Sequence, residues 1–179
     1  MHDVIKGSLE VLQQGNNFLN SVSDDAYTKI VKPIFISSSG EHMRHIIDHF
    51  LVIKDGHEKG VINYDKRNRG CQVENHRSQA LLKMHEIKQW MIALDDDVLS
   101  QPLIIKTEVA LSESVVVEVA STLERELVFA ASHAVHHYSS IANAIQMQDL
   151  TLDKNFGIAP ATATFLRSND DNKCAQSAG

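Results

Sequence analysis

His133 and His137 stand four residues apart in the run Ser132-His133-Ala134-Val135-His136-His137. On a helix that spacing puts two imidazoles on one face, with Cβ atoms about 5–6 Å apart. Two neutral rings so placed can share one divalent cation. A second window, Glu41-His42-Met43-Arg44-His45-Ile46-Ile47-Asp48-His49, offers a third ring from a distant part of the chain. Six of the ten histidines fall in these two windows. Three imidazoles with open positions leave room for water or substrate, as a catalytic ion requires. Neither window has Glu directly after its first histidine, so the His-Glu-x-x-His pattern of zinc proteases is absent. Cys71 and Cys174 lie far apart and form no ligand spacing, which argues against a closed thiolate zinc site.

Both windows need helices to present them. With about 100° of rotation per residue, Leu123, Leu127, Ala130, Ala134, His137, Ile141 and Ile145 share one apolar stripe. His137 lies within that stripe, His133 at its edge, and His136 on a flank. Glu126 and Asp48 are candidates to accept hydrogen bonds from the ligand rings and fix their orientation, and His136 is a third. In the upstream window Met43, Ile46, Ile47, Phe50 and Ile53 define the apolar side. His42 and His49 lie near its edge and His45 is rotated further, so angle alone prefers His49 to His45 as the third ligand.

The remaining chain supplies the scaffold. A first helix is expected from Val4 to about Val22, broken by Asp24-Asp25. Ser38-Ser39-Gly40-Glu41 reads as a capping box opening a second helix that runs to about Gly56. A polar, irregular segment to Val73 follows, long enough to suggest function or mobility. A third helix spans Glu74 to about Leu94 and stops at Asp95-Asp96-Asp97. Period-two patterning in Leu103–Val109 and Val115–Val119 predicts a β-hairpin. Ser121-Thr122-Leu123-Glu124 reads as a second capping box, starting the last long helix, which ends near Gln148. A short helical piece follows Pro160. The expectation is an all-α four-helix bundle over residues 1–167, with a small β-hairpin before the last long helix. The polar tail 168–179 is expected to be disordered.

These residues resemble the DinB/YfiT-like metal-dependent proteins. Ser132-His133-Ala134-Val135-His136-His137-Tyr138 is similar to that family's last-helix His-x-x-His-His pattern, and the match in element order extends from residue 1 to about 167. The resemblance implies that His133 and His137 bind metal. It also implies His45, seven residues after Ser38 and followed by Ile46-Ile47-Asp48, as the upstream ligand, where the angular reading prefers His49. A bundle, often dimeric, that binds zinc, nickel or a similar divalent ion is implied, with relatives acting as thiol-dependent transferases or isomerases. Two positions depart from the pattern: Tyr138-Ser139-Ser140 replaces Arg-Gly-Gln, and Phe50 stands where many members carry an acidic residue.

Composition bounds the function. The 179 residues, 43% hydrophobic and 22% charged, suit one soluble domain. A formal charge of −6 argues against a broad nucleic-acid-binding face. No apolar run is long enough to span a membrane, and Met1-His2-Asp3-Val4-Ile5-Lys6 does not look like a secretory leader. A cytoplasmic protein is therefore expected, and the family resemblance implies a homodimer acting on a small molecule. The ion would lower the pKa of bound water or thiol, in the manner of a hydrolase or thiol S-transferase. The alternative is a non-catalytic module that the ion stabilises. Lys66, Arg67 and Arg69 could clamp an anionic substrate, and Tyr64 or Tyr138 could donate a proton.

Overall fold

The computed structural model describes residues 1–66 and 68–177, with side chains described as far as residue 169. Helix α1 (Asp3–Ser21) buries Ile5, Ser8, Leu12, Gly15 and Leu19 along one stripe, with Val11 and Phe18 beside it. A short helix α2 (Asp24–Thr28) follows, capped by the Ser23 hydroxyl. Helix α3 (Ser39–Gly56) opens on the predicted capping box. The Ser38 hydroxyl accepts from the Glu41 amide at 3.2 Å, and the Glu41 carboxylate accepts from the Ser38 amide at 2.7 Å. Two donors that would otherwise be orphaned at the helix start are thereby satisfied, and this fixes the phase in which His42, His45 and His49 leave the helix.

The segment after α3 holds more structure than its polarity suggests. A 3₁₀ turn at His57–Lys59 leads into strand β1 (Val61–Asn63), and helix α4 (Gln72–Asn75) precedes α5 (Arg77–Ile92). The predicted hairpin is present as β2 (Pro102–Glu108) and β3 (Val116–Thr122), paired antiparallel with Ile104 opposite Ala120. Strand β1 joins its far side in parallel, with Val61 opposite Ile104. The expected two-stranded hairpin is thus a three-stranded sheet in the order β1-β2-β3. Ile62, Leu103 and Ile105 are buried, and alternation sends Ile104 and Lys106 to the other face.

Helix α6 (Leu123–Gln146) starts directly from β3. Its N-cap is Thr122, whose hydroxyl accepts from Arg125, and not Ser121 as the sequence pattern suggested. Helix α1 packs against α5 and α6, and α3 packs against the same two, with one hydrophobic core among them. Leu12, Leu19, Met43, Phe50, Met84, Ile87, Leu127 and Tyr138 fill it, each without exposed surface. Gly15 is required there: a Cβ at that position would meet the Tyr138 hydroxyl and the Met84 methyl. Trp90 is partly buried against it. Helix α7 (Pro160–Ser177) continues through the polar segment after Ser168, and Phe165 and Leu166 on it are exposed. Among the described residues no helix is long and apolar enough to cross a membrane.

Candidate metal centre

The packing of α3 against α6 brings the two histidine windows face to face. His133 Nε2 lies 3.0 Å from His45 Nε2 and 3.1 Å from His137 Nε2. Ligand nitrogens of His45, His49 and His133 all fall within 4.8 Å of one another, close enough to hold a metal ion. The rings of His45 and His137 are 4.7 Å apart, and those of His49 and His133 are 4.4 Å apart. His45 and His133 share that group with His49, and His137 stands against the same two rings. The structure brings together all four rings that sequence placed on the candidate list.

Two contacts bear on which nitrogens are available. His49 Nδ1 lies 2.9 Å from the backbone carbonyl of His45, one turn earlier. A carbonyl can only accept, so Nδ1 carries the proton and Nε2 keeps its lone pair for a cation. His42 Nδ1 lies 2.9 Å from His137 Nδ1. One of those nitrogens donates and the other accepts.

Burial chiefly, and then the neighbouring His133, His42, His136 and His49, hold the His137 pKa down to about 3. His42 is also shifted below the ordinary histidine value, first by burial. Both rings are thus neutral at pH 7, the form in which imidazole binds a cation.

Two buried carboxylates frame the cluster. Asp48, on α3 and almost fully buried, accepts from Arg44 at 3.3 Å. It also takes both the backbone and the side-chain amide of Asn68, at 3.1 and 3.2 Å. Arg44 reaches back to Glu74 at 2.9 Å. Asp48 thus ties the segment after β1 to the histidine-bearing helix. Glu126, with no exposed surface, accepts from Tyr64 at 2.5 Å, Ser121 at 2.5 Å and Arg125 at 2.8 Å. The Tyr64 ring stacks on His49 with centroids 5.2 Å apart. Glu126 therefore supports the cluster through a tyrosine.

The other sequence candidates separate cleanly. His136 is exposed, with its ring 5.6 Å from that of His137. Tyr138 is a core residue, and burial raises its phenol pKa. Tyr64 is beside the cluster, with its phenol pushed up by burial and by Glu126. A cavity of about 460 Å³ opens beside the rings, lined by His42, His45 and His137 with Arg44, Arg69 and Glu74. Lys66 lies beside His45, Asp48 and His49. Arg67 lies outside the described residues. Sequence reasoning passed over His42, whose partner His137 is 95 positions away. It also missed the Tyr64–Glu126 bond, which spans 62 positions.

A mostly helical fold around one core, with a small sheet, is an architecture already known among solved structures. The chain has the DinB-like fold. It superposes on the crystal structure of a DinB-like protein, YjoA, from Bacillus subtilis with a TM-score of 0.59 at 18% identity. That match covers 84% of this chain and 95% of the other. Among curated proteins, FK506-binding protein 5 of Rhizopus delemar is 32% identical over 107 residues, which is 60% of this chain and 28% of that protein. The chain thus spans less than a third of the length of that curated relative. No protein-family profile matches the chain.

Proposed function

We propose that this chain is a metal-dependent protein in which a four-helix bundle of α1, α3, α5 and α6 presents His45, His133 and His137 to one divalent ion, zinc or nickel. The observation that carries the reading is the pair of Nε2 contacts at 3.0 and 3.1 Å that join these three rings. Two nitrogens each about 2.1 Å from a common ion stand about 3.0 Å apart at a right angle and about 3.4 Å apart in a tetrahedron. The separations fit that range at its lower end. Imidazole donors suit zinc and nickel alike.

The ion would act as a Lewis acid and lower the pKa of a coordinated water or thiol. The chain's own residues do the rest. The cavity beside His42, His45 and His137 admits a small molecule. Tyr64 and Phe129, packed around His49 and His133, add aromatic surface to the site. Asp48, through Asn68, holds the covering segment in place. A hydrolase or thiol-transfer reaction on a small molecule is the activity this arrangement supports. The open cavity favours it over an ion that only braces the fold.

Metal analysis with titration calorimetry tests the assignment. One ion per chain is expected, with uptake lost in His45→Ala, His133→Ala and His137→Ala and kept in His49→Ala. A wild-type chain that binds no zinc or nickel, or a His133→Ala variant that binds as tightly, overturns the reading. An ion whose removal unfolds the protein, and which has no exchangeable water, would assign it a bracing role instead.

A further inference from the structure

We infer that His42 is a positioning residue, holding His137 for the ion by accepting a hydrogen bond from its Nδ1–H. The inference rests on the metal reading above, in which His137 is a ligand through Nε2. That nitrogen faces His133 Nε2 at 3.1 Å. A neutral imidazole has one N–H, so a lone pair committed at Nε2 puts the proton on Nδ1. The group within hydrogen-bond distance of that nitrogen is His42 Nδ1, at 2.9 Å. Two protonated nitrogens cannot occupy such a contact, so His42 Nδ1 must be the acceptor, and the proton of His42 sits on Nε2.

Ligating histidines ordinarily donate their second N–H to a carboxylate, carbonyl or water, and that partner fixes the ring's orientation. Here a fifth histidine takes the role. The carboxylate of Asp48 is occupied by Arg44 and Asn68, and that of Glu126 by Tyr64, Ser121 and Arg125. The two helices make the pairing natural: His42 lies one turn before His45 on α3, and His137 one turn after His133 on α6. Contacts between the helices therefore run 42 to 137 and 45 to 133 in antiparallel register. The assignment also fixes His42 chemically. It lines the cavity as a ring whose Nε2 is a donor, so any polar group it meets through that nitrogen must be an acceptor. It is not a general base.

Long-range ¹H–¹⁵N correlation on histidine-labelled, zinc-loaded protein tests the tautomers. His137 is expected to carry its proton at Nδ1, and His42 at Nε2. Zinc affinity should fall about 10–100-fold in His42→Phe and return most of the way in His42→Gln, whose amide oxygen can accept. Melting curves of the metal-free variants check the fold. If His42→Phe does not fold, the wild-type spectrum and His42→Gln still decide. A proton on His42 Nδ1, or an unchanged affinity in His42→Phe, overturns this inference and leaves the metal site standing. A wild-type chain that takes up neither zinc nor nickel overturns both.

Discussion

Replacing Tyr64 with Phe would remove one atom, the hydroxyl that donates to Glu126 at 2.5 Å. Glu126 has no exposed surface, and its carboxylate depends on three donors. The Tyr64 phenol stays protonated at neutral pH, because burial and Glu126 push its pKa well up, so it is the donor throughout the working range. A hydrogen bond to a buried charge contributes about 1.5–3 kcal/mol. Ser121 and Arg125 remain in place, so the carboxylate is under-satisfied and not stripped, and a loss near 2 kcal/mol is expected. For a chain of this size that lowers the unfolding midpoint by about 4–8 °C. Urea denaturation at pH 7 measures the loss. A double-mutant cycle with Glu126→Gln isolates the pairwise part, expected at about 1 kcal/mol or more for groups in direct contact. The phenyl ring that stacks on His49 survives the substitution, so metal content should not change. A loss under about 0.5 kcal/mol, within the scatter of ordinary surface substitutions, would refute the view that Glu126 braces the cluster through this tyrosine. So would full additivity in the cycle.

Two further outcomes follow from packing and charge. Gly15→Ala should destabilise the protein by about 1–3 kcal/mol, because the added methyl meets the Tyr138 hydroxyl and Met84; Gly15→Ala combined with Tyr138→Phe should recover part of the loss in the same denaturation assay. The metal-free protein should lose stability as pH falls below about 6.5, where unfolded histidines take up protons while burial keeps His137 neutral down to about 3 and holds His42 below its ordinary value; a urea midpoint flat from pH 7.5 to pH 5 would contradict this.

What sequence could reveal was set by how local each signal is. The Ser38–Glu41 box was readable because both of its bonds close within three residues. The same pattern at Ser121–Glu124 misled because β3 runs into α6 without a linker. Ser121 is still a strand residue paired with Leu103, and its hydroxyl turns to Glu126. The cap falls one position later, on Thr122. Strand β1 was invisible for a related reason. Three residues carry no periodicity, and Val61–Asn63 is a strand only because β2, some forty positions on, offers it a parallel edge. The hairpin, whose two halves alternate and lie close in sequence, was legible.

The histidines show where helix phase stops deciding. Angle preferred His49 and family spacing preferred His45, yet α3 delivers both rings to His133. They sit one turn apart and differ in what restrains them. His49 is locked by its bond to the His45 carbonyl and by the Tyr64 ring, whereas His45 reaches the Nε2 of His133 directly. Helical projection supplies the direction of Cβ, but a ligand nitrogen lies two rotatable bonds beyond it, where contacts from Tyr64, α3 and α6 choose the rotamer. Asp48 and Glu126 were reasonable choices on the rule that ligand rings lean on carboxylates. In the fold those carboxylates are drawn to Asn68 and Tyr64, residues of the segment that covers the site. The acidic groups hold that segment, and the inference above gives the acceptor role at His137 to another imidazole.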